Sequence, residues 1–291
     1  MSVYRNFVKP YFQHPLNRNA KFKAALIYIK WQLLLRIAAL YNSWLVIRHE
    51  TGLRLIVKKG QYGITGNIYS GLHEFAEMLF VIHFLREDDL FFDIGANMGM
   101  YTLLAAGVCK AKTYSFEPVP STYFFLKSNV MINNLEGRAQ CFELGVGDKG
   151  GSVRFSSDLD AMNKVIDESY NGNTINSEIV QLDSLFGQAL NNHVMLKIDT
   201  EGYEVNVLHG ALEVLANPWT KVVLVEMNDR AGIHRELSKY GFEPYNYNPL
   251  KRILQKADHS LEANIIYIKD KAFVDRRIMA AAPFVIRGQK F

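Results

Sequence analysis

The sequence predicts an α/β fold in which a seven-stranded, mostly parallel sheet carries helices on both faces. From residue 90 onward, apolar runs suited to strands alternate with helical segments. Most of these runs are apolar throughout, as in Val222 to Val225, which is typical of strands covered on both faces. The last run, 263–268, follows its predecessor after a turn-rich stretch without a long helix, so we expect it to lie antiparallel. These observations indicate a Rossmann-like sheet with a reversed last strand.

Local periodicity gives the individual elements of this sheet. Strands are predicted at 90–94, 112–117, 139–146, 194–199, 221–226, 242–247 and 263–268. Helices are predicted near 99–108, 120–133, 202–215 and 230–240. Two further β-like runs, 152–156 and 178–182, break the alternation and predict a β-hairpin insertion.

An N-terminal extension precedes the sheet. Apolar residues recur at helical spacing over 22–41, at Phe22, Leu26, Ile29, Leu33, Ile37 and Leu40. There follow a short extended pair (44–48 and 54–57), a Gly-rich loop (60–71) and an apolar helix from 73 to 85. We therefore divide the chain into a basic amphipathic extension (1–70), an α/β domain (71–270) and a basic C-terminal tail (271–291).

Charge is distributed unevenly along the chain. Residues 1–60 hold eleven Lys/Arg and one acid, a net +10, whereas residues 61–270 have a net charge of −10 and residues 271–291 one of +4. A basic arm beside an acidic body indicates an anionic partner. Two interpretations stay open: the arm contacts an anionic membrane surface, which Trp31 and Trp44 would suit, or it docks on its own acidic domain.

Cysteine content and hydropathy bear on location. The two cysteines, Cys109 and Cys141, form no CxxC pair, which favours a reducing compartment and argues against structural zinc. No secretory signal is evident, and the longest uncharged apolar piece, Ile37 to Ile47, is shorter than the roughly 20 residues that a membrane span needs. We expect a cytoplasmic protein that is at most peripheral at the membrane.

The first strand of the sheet leads into a loop suited to binding a ligand. It ends at Asp93 and runs into Gly95, Asn97 and Gly99, and ligands of such sheets lie beyond the carboxyl ends of the strands. The spacing is G-x-N-x-G rather than the G-x-G-x-x-G of dinucleotide sites. A buried carboxylate beside a pyrophosphate would be repelled, whereas Asp93 can attract the cationic end of S-adenosylmethionine.

The second strand ends at Glu117, which lies 24 positions after Asp93. This is close to the offset of about 20 residues at which an acid meets ribose hydroxyls. The third strand ends in a Gly-Asp turn at 145–148, which either lines an adenine slot or is an ordinary turn. The predicted cofactor is therefore S-adenosylmethionine, and its predicted contacts are Asp93, Gly95, Ala96, Asn97, Gly99, Tyr101, Thr102, Glu117, Pro118, Glu143 and Gly145.

Acidic residues follow the fourth and fifth strands, where a methyl acceptor would lie. Asp199 and Glu201 are the candidate catalytic pair, because alkylation of a hydroxyl requires alignment and removal of a proton. The alternative is that Asp199 and Glu201 cap the following helix and stabilise its positive end, which is the role expected for Glu204. Candidate acceptor contacts are His73, Glu74, Glu226 and Asn228. Asp199, Glu201 and Glu226 could hold Mg²⁺, but no spacing in the sequence demands it, so no metal ligands are assigned.

The sequence after the fourth strand also argues against other acceptors. Enzymes that methylate exocyclic amines of bases usually carry Asn/Asp-Pro-Pro-aromatic at this point, but residues 199–202 read Asp-Thr-Glu-Gly. Carbon methylation of pyrimidines needs a cysteine in the mouth of the fold, and Cys109 and Cys141 fall at a helix end and inside a strand.

With these residues in view, the chain resembles the FkbM family of O-methyltransferases. The matching segments are DIGANMGMYT (93–102), FEPVPSTYFFLKSNVMIN (116–133), QLDSL (181–185), LKIDTEGYEVNVLHGA (196–211) and VLVEMN (223–228). GNIYSGLHEF at 66–75 resembles a subset of the family. The resemblance implies a class I methyltransferase sheet and methylation of hydroxyls on sugars, glycans or polyketide-like metabolites. Glu143 departs from the amide that is more common there.

The leading hypothesis is an S-adenosylmethionine-dependent O-methyltransferase acting on a sugar, glycan or related hydroxylated metabolite. RNA ribose methylation is an alternative in which the basic arm would bind phosphates, although the acidic body offers no evident groove for nucleic acid. A third is a non-catalytic cofactor-binding module whose N-terminal helix mediates homodimerisation or membrane association.

Overall fold

The computed structural model describes residues 9–41, 43–156, 164–166, 170–187, 190–257 and 263–291. Residues 1–8 and 42 of the predicted basic arm lie outside these ranges. Among the described residues, no helix combines the length and the apolar character that crossing a bilayer requires.

Before the central sheet, the described residues form four helices and a hairpin. In chain order they are α1 (Lys9–Gln13), α2 (Lys21–Leu40), β1 (Leu45–Arg48), β2 (Arg54–Val57), α3 (Tyr62–Ser70) and α4 (Phe75–Phe84). The antiparallel pairing of β1 with β2 agrees with the predicted extended pair. The predicted Gly-rich loop at 60–71 is wrong, because helix α3 occupies it. Its glycines serve close packing, since a Cβ at Gly63 would lie 3.0 Å from Asn97 Oδ1 and one at Gly66 2.9 Å from the His73 ring.

The central sheet and its helices occupy the rest of the chain, together with a small second sheet. The elements are β3 (Leu90–Ile94), α5 (Met100–Leu103, continued by a π-helical turn, Leu104–Val108), β4 (Lys112–Phe116), α6 (Pro120–Ile132), β5 (Ala139–Phe142), β6 (Gly145–Val146), β7 (Gly151–Ser156), β8 (Thr174–Val180), α7 (Leu182–Phe186), β9 (Val194–Ile198), α8 (Glu204–His209), α9 (Leu212–Ala216), β10 (Thr220–Glu226), α10 (Arg230–Ser238), β11 (Glu243–Asn248), β12 (Ile253–Lys256), β13 (Asn264–Ile268), α11 (Lys271–Met279), β14 (Val285–Ile286) and β15 (Gln289–Lys290).

The strand order of the central sheet is β12-β11-β13-β10-β9-β3-β4-β5. Strands β10, β9, β3, β4 and β5 pair in parallel, and β13 lies antiparallel between β11 and β10. The α/β class and the antiparallel last strand are therefore confirmed. The sheet has eight strands rather than the seven predicted, because β12 folds back on β11. In β12 only Leu254 is buried, so this edge strand carries no apolar pattern that could reveal it.

The predicted hairpin insertion forms a separate sheet of three strands. β7 and β8 pair antiparallel, as predicted, and β6 joins β8 in parallel. The predicted strand 139–146 is thus divided between two sheets. The predicted helix 202–215 is divided between α8 and α9 at Gly210, where a Cβ would lie 1.9 Å from the Gly147 carbonyl oxygen.

The apolar core lies on both faces of the central sheet. Neighbouring residues of β3 point to opposite sides, so Phe91 belongs to the core cluster that contains Phe80 and Phe84 of α4. Phe92 belongs to the other cluster, and its ring lies 4.9 Å from that of Phe186. Helix α11 in the C-terminal segment buries Val274 and Ile278 completely on the α4 side. The domain boundaries at residues 70 and 270 stay a prediction.

Candidate active site

The turn after β3 brings its backbone directly against the end of β9. Gly95 (φ 75°), Asn97 (φ 51°) and Gly99 (φ 89°) adopt the left-handed conformation that is cheapest for glycine. A Cβ at Gly95 would lie 1.8 Å from the Asp199 carbonyl oxygen. The turn can therefore approach β9 only with glycine at this position, and the approach fixes the loop that carries Asp199.

A cleft of about 620 Å³ opens at the carboxyl ends of β3, β4 and β9. Seven of the predicted site residues line it, namely Gly95, Asn97, Glu117, Pro118, Gly145, Asp199 and Glu201. The other predicted site residues do not line it.

Four apolar residues that were not predicted as site residues also line this cleft. They are Phe116, Leu144, Val146 and Phe155. Phe155 belongs to the inserted strand β7, so the insertion contributes to the site. Glu143, predicted as an adenine contact, is exposed and does not line the cleft, whereas its neighbour Leu144 does. A flat aromatic group would find an apolar surface here.

Glu117 places a buried carboxylate at the floor of the cleft. Its Oε2 accepts a hydrogen bond from the Asn97 backbone N–H (2.9 Å), and Oε1 accepts one from that of Val119 (3.0 Å). Burial raises its pKa to about 7, against the opposing effect of these two bonds. Each carboxylate oxygen retains a lone pair for a ligand donor. The arrangement suits a ligand that presents hydroxyl groups.

We expect Glu117→Gln to weaken S-adenosylmethionine binding by about 10-fold to 100-fold, since a hydrogen bond to a charged group contributes roughly 1.5–3 kcal/mol. In the parent protein, affinity should rise as pH increases through about 7, because the ionised carboxylate is the better acceptor. Isothermal titration calorimetry measures both effects. Glu143→Gln, at an exposed position outside the cleft, is the matched control. Binding by Glu117→Gln within twofold of the parent would contradict this role.

Asp93 lies beneath the cleft and is fully buried. Its Oδ2 accepts a hydrogen bond from the Thr102 hydroxyl (2.7 Å), which also lies 2.7 Å from Ser115 Oγ. Its Oδ1 has no hydrogen-bond partner among the described residues, and Lys197 Nζ is 3.9 Å away. Burial raises the pKa of Asp93, and Lys197 opposes that shift. Direct contact of Asp93, Thr102, Tyr101, Ala96 or Gly99 with the cofactor stays a prediction.

Lys197, which was not predicted as a site residue, lies between Asp93 at the end of β3 and Asp199 after β9. It is buried in β9, and its Nζ donates to Asp199 Oδ2 (2.9 Å) and lies 4.8 Å from the centre of the Tyr101 ring. Burial alone would lower the pKa of Lys197, but the Asp199 and Asp93 carboxylates raise it above its ordinary value. A charged residue inside the apolar run 194–198 was the available signal, because a buried lysine requires paired carboxylates.

Three carboxylates meet at the mouth of the cleft. Ligand oxygens of Asp199, Glu201 and Glu226 all lie within 4.8 Å of one another. Burial and the neighbouring Asp199 raise the pKa of Glu201 to about 7 and that of Glu226 to about 8. Close carboxylates share protons in this way because adjacent negative charges repel. The same oxygens form a donor set suited to a hard divalent cation such as Mg²⁺, a requirement that the sequence leaves open.

Glu204 was predicted only to stabilise the start of a helix. In the structure it also accepts hydrogen bonds that fix the loop carrying these acids. Its buried Oε1 accepts from Gly202 N (2.9 Å), from the backbone N–H and hydroxyl of Thr200 (both 3.2 Å) and from Asn228 Nδ2 (3.3 Å). Asn228 also donates to Glu226 Oε2 (2.6 Å). These bonds hold the loops after β9 and β10 together, with Glu201 in a left-handed conformation (φ 52°).

We expect Glu226→Gln to stabilise the fold at alkaline pH. The pKa of Glu226 in the folded chain, about 8, lies above its ordinary value of 4.5, so the unfolded chain releases this proton at lower pH. The stability of the parent protein should therefore fall as pH rises through that window, and the glutamine variant should lose less. If the free energy of unfolding of the variant exceeds that of the parent by about 1 kcal/mol at alkaline pH, its Tm should be roughly 2 °C higher. Thermal unfolding at pH 5 and pH 9 measures it, with exposed Glu136→Gln as control. An equal Tm difference at both pH values would contradict the shift.

His73 and Glu74 lie at the α4 side of the site, outside the cleft lining. His73 is exposed, and its backbone N–H donates to Asn67 Oδ1 (2.8 Å). Glu74 Oε1 accepts from Asn264 Nδ2 (2.5 Å). Burial is the main cause of the raised pKa of Tyr101, and the charge of Glu74 is the second cause. Glu74 therefore faces the Tyr101 and Lys197 side of the site, and acceptor binding by either residue stays a prediction.

Comparison with known proteins supplies a family match for this region. The model of the methyltransferase FkbM domain matches residues 93–261, which include the turn after β3, Glu117 and the three-carboxylate cluster. The matched segment is more than half of the chain.

Two curated relatives are similar to about half of the chain. "Methyltransferase 1" of Beauveria bassiana is 25% identical over 171 residues, covering 50% of this chain and 67% of the relative. Hexuronic acid methyltransferase AglP of Haloferax volcanii is 26% identical over 143 residues, covering 49% of this chain and 57% of the relative. The matches thus span 67% and 57% of these relatives' lengths.

Among solved structures, M. jannaschii TYW2 in complex with AdoMet aligns with 77% of this chain and 84% of that one, at 13% identity and a TM-score of 0.42.

Proposed function

Because this chain belongs to the FkbM family of S-adenosylmethionine-dependent methyltransferases, we propose that it methylates a hydroxyl oxygen of a sugar or glycan. The observation that carries the proposal is the cluster of Asp199, Glu201 and Glu226, whose oxygens lie within 4.8 Å of one another beside the cleft. S-adenosylmethionine supplies the transferable methyl group when it is bound.

The residues of the cleft fit that donor. Glu117 presents carboxylate oxygens to ribose hydroxyls, and Phe116, Leu144, Val146 and Phe155 offer an apolar wall to adenine. The buried Asp93 has an oxygen without a hydrogen-bond partner among the described residues, directly beneath the turn that would hold the cationic end. A second carboxylate, Asp199, lines the cleft and adds to the negative potential.

The carboxylate cluster fits a hydroxyl acceptor better than a carboxylate acceptor. An alcohol must lose its proton as its oxygen attacks, whereas a carboxylate nucleophile is already ionised and needs no base. General bases act best when their pKa is close to the working pH, and burial raises the pKa of Glu201 to about 7. We assign Glu201 as the group that takes the hydroxyl proton and Asp199 as the group that orients the hydroxyl.

Glu226 and Lys197 hold this pair in place. Burial and the neighbouring Asp199 raise the pKa of Glu226 to about 8, so at neutral pH Glu226 already carries a proton and can donate a hydrogen bond within the cluster. Asn228 Nδ2 donates to Glu226 Oε2 at 2.6 Å, and Lys197 Nζ donates to Asp199 Oδ2 at 2.9 Å. We therefore assign proton removal to Glu201 and orientation of the hydroxyl to Asp199, with Glu226 and Lys197 as positioning residues.

The sugar class of the acceptor is supported by the Haloferax volcanii relative, which is named a hexuronic acid methyltransferase. Three acids at the cluster would repel the carboxylate of such a sugar, so that group has to point away from them. Lys164, on the insertion, lies close enough for its charge to lower the pKa of Glu201 against the effect of burial. It is the cation that we assign to an acidic acceptor.

Methyl-transfer profiling tests the proposal. The chain is incubated with isotopically labelled S-adenosylmethionine and a panel of neutral hexosides, hexuronosides, sugar amines and mixed RNA. We expect turnover on hydroxylated sugars, and lower KM for the uronic acids than for the neutral hexosides. Preferential labelling of amines or RNA would contradict the assignment. Loss of the KM difference in Lys164→Gln, with kcat retained, would support the role of Lys164.

A further inference from the structure

Helix α2 exposes its apolar side instead of burying it. The exposed residues are 52–83% accessible and recur every three or four positions, namely Phe22, Leu26, Ile29, Leu33, Ile37 and Leu40. We call this set the α2 stripe. At 1.5 Å per residue it runs about 27 Å along one side of the helix. Six large apolar side chains in a row are unusual on a surface that faces water, and such patches mark sites of interaction.

The opposite side of α2 is the one that packs on the protein. Ala24, Leu35 and Ala38 are buried, about half a helical turn away from the α2 stripe. On this inner side the Gln32 Nε2 donates to the Tyr69 hydroxyl (3.1 Å), and the rings of Tyr28 and Tyr69 lie 5.3 Å apart. The α2 stripe is therefore not the core-facing side of an ordinary amphipathic helix.

Basic residues border the α2 stripe. Lys21, Lys23, Lys30 and Arg36 are all exposed, and the helix contains no acidic residue. On a helix of 3.6 residues per turn, Lys23 and Lys30 project on one flank of the stripe and Lys21 and Arg36 on the other. An apolar stripe with cations on both flanks is the pattern of helices that lie in a membrane interface.

Aromatic residues extend the surface beyond the end of α2. Tyr41 is 77% exposed and Trp44 53%, and the Trp44 ring stacks on that of Phe124 of α6 at 5.7 Å. Aromatic side chains of this kind prefer the headgroup level of a bilayer. The surface thus continues from the N-terminal helix onto the α/β domain.

We propose that the α2 stripe docks the protein on an anionic bilayer surface, with its apolar side chains below the headgroups and its basic flanks among lipid phosphates. The charge pattern favours this occupant over a second copy of the chain. Two stripes packed face to face would bring the lysines and arginines of both copies together, and like charges destabilise an interface.

The docked face lies one helix away from the site. The inner side of α2 contacts α3, and Gly63 of α3 packs against the side chain of Asn97 in the turn after β3. A bilayer beneath α2 would therefore hold the cleft close to the membrane surface.

Vesicle cosedimentation of the full chain tests the proposal. Vesicles contain phosphatidylcholine alone or with about one third phosphatidylglycerol, at about 0.05 M and about 0.5 M NaCl. We expect binding to the anionic vesicles at low salt, and a partition coefficient about tenfold lower without the anionic lipid or at high salt.

Paired substitutions separate the two parts of the surface. Leu26→Asn with Leu33→Asn should lower the partition coefficient about tenfold, and Lys23→Gln with Lys30→Gln should remove most of its salt dependence. Leu250→Asn with Met279→Asn is the matched control, since these residues are 64% and 60% exposed elsewhere. Unchanged Tm and S-adenosylmethionine affinity report that each variant is folded.

Three outcomes would overturn the proposal. The first is that the chain stays in the supernatant with anionic vesicles at low salt. The second is that the stripe variants and the control variants lose binding equally. The third is a dimer in light scattering that the stripe variants convert to a monomer while the parent chain fails to bind vesicles, which would assign the α2 stripe to a second copy.

Discussion

Gly95→Ala should abolish S-adenosylmethionine binding and destabilise the fold by about 3 kcal/mol or more. The new Cβ would lie 1.8 Å from the Asp199 carbonyl oxygen, so the turn after β3 and the end of β9 have to separate. The left-handed conformation of residue 95 (φ 75°) adds roughly 1–2 kcal/mol for any residue with a Cβ. Separation also displaces Asp199 from the cleft.

Thermal unfolding and calorimetry measure these effects, with Gly60→Ala as the matched control. Gly60 has a similar conformation (φ 96°), but a Cβ at this position would meet no heavy atom within 4 Å. The control therefore reports the backbone cost alone. We expect Gly95→Ala to lower Tm by roughly 2–4 °C more than the control, since roughly 1–2 kcal/mol remain after the backbone cost. Equal Tm losses, with cofactor binding retained, would show that the turn tolerates the side chain and that the close approach does not form.

Glu201→Gln should lower kcat by about 100-fold to 10,000-fold, which is the range for removal of a general base. S-adenosylmethionine affinity should stay within about twofold, since cofactor contacts are assigned to Glu117 and to the turn after β3. In the parent protein, kcat should rise with pH through about 7 as Glu201 loses its proton. The variant should lose that dependence.

Steady-state kinetics across pH, with exposed Glu136→Gln as control, distinguish a base from a purely structural acid. A structural role would alter Tm and leave the pH profile of the residual activity unchanged. If Glu201→Gln retains more than about one tenth of kcat with the parent pH profile, then Asp199 or Glu226 accepts the proton and the assignment is wrong.

Much of the fold could be predicted from sequence because buried parallel strands are apolar throughout. Strands β3, β4, β9, β10 and β13 fall within one or two residues of their predicted positions. Two features escaped prediction for physical reasons. Strand β12 buries a single apolar residue, and helix α3 carries glycines that are typical of a loop but serve its close packing on Asn97 and His73.

The site was predicted in part. The sequence shows which residues follow each strand, but it does not show which other side chains contact them in the fold. Glu117 and the pair Asp199 and Glu201 line the cleft, and they stand at strand ends that meet at one sheet edge. Lys197 and Phe155 were missed. The first lies inside a strand and the second on an insertion, and neither local pattern reveals which side chains fold over the cleft.

The surroundings of Asp93 could not be predicted from its spacing in the sequence. In the fold it is a buried acid bonded to Thr102 and close to Lys197. Thr102 and Lys197 are separated from it by nine and 104 positions, so only the folded sheet brings the three together. The spacing predicts a carboxylate at the end of the first strand, but not the partners that fix its orientation and its charge.

The most direct test of the central claim is the chemical identity of the newly formed methyl group. The chain is supplied with S-adenosylmethionine labelled with carbon-13 in its methyl and with a hexuronic acid glycoside, and the product is analysed by NMR. We predict a methyl ether carbon coupled to a ring proton of the sugar. A methyl ester carbon on the uronic acid carboxyl group, which needs no base, or the absence of any methylated sugar would contradict hydroxyl methylation by the carboxylate cluster.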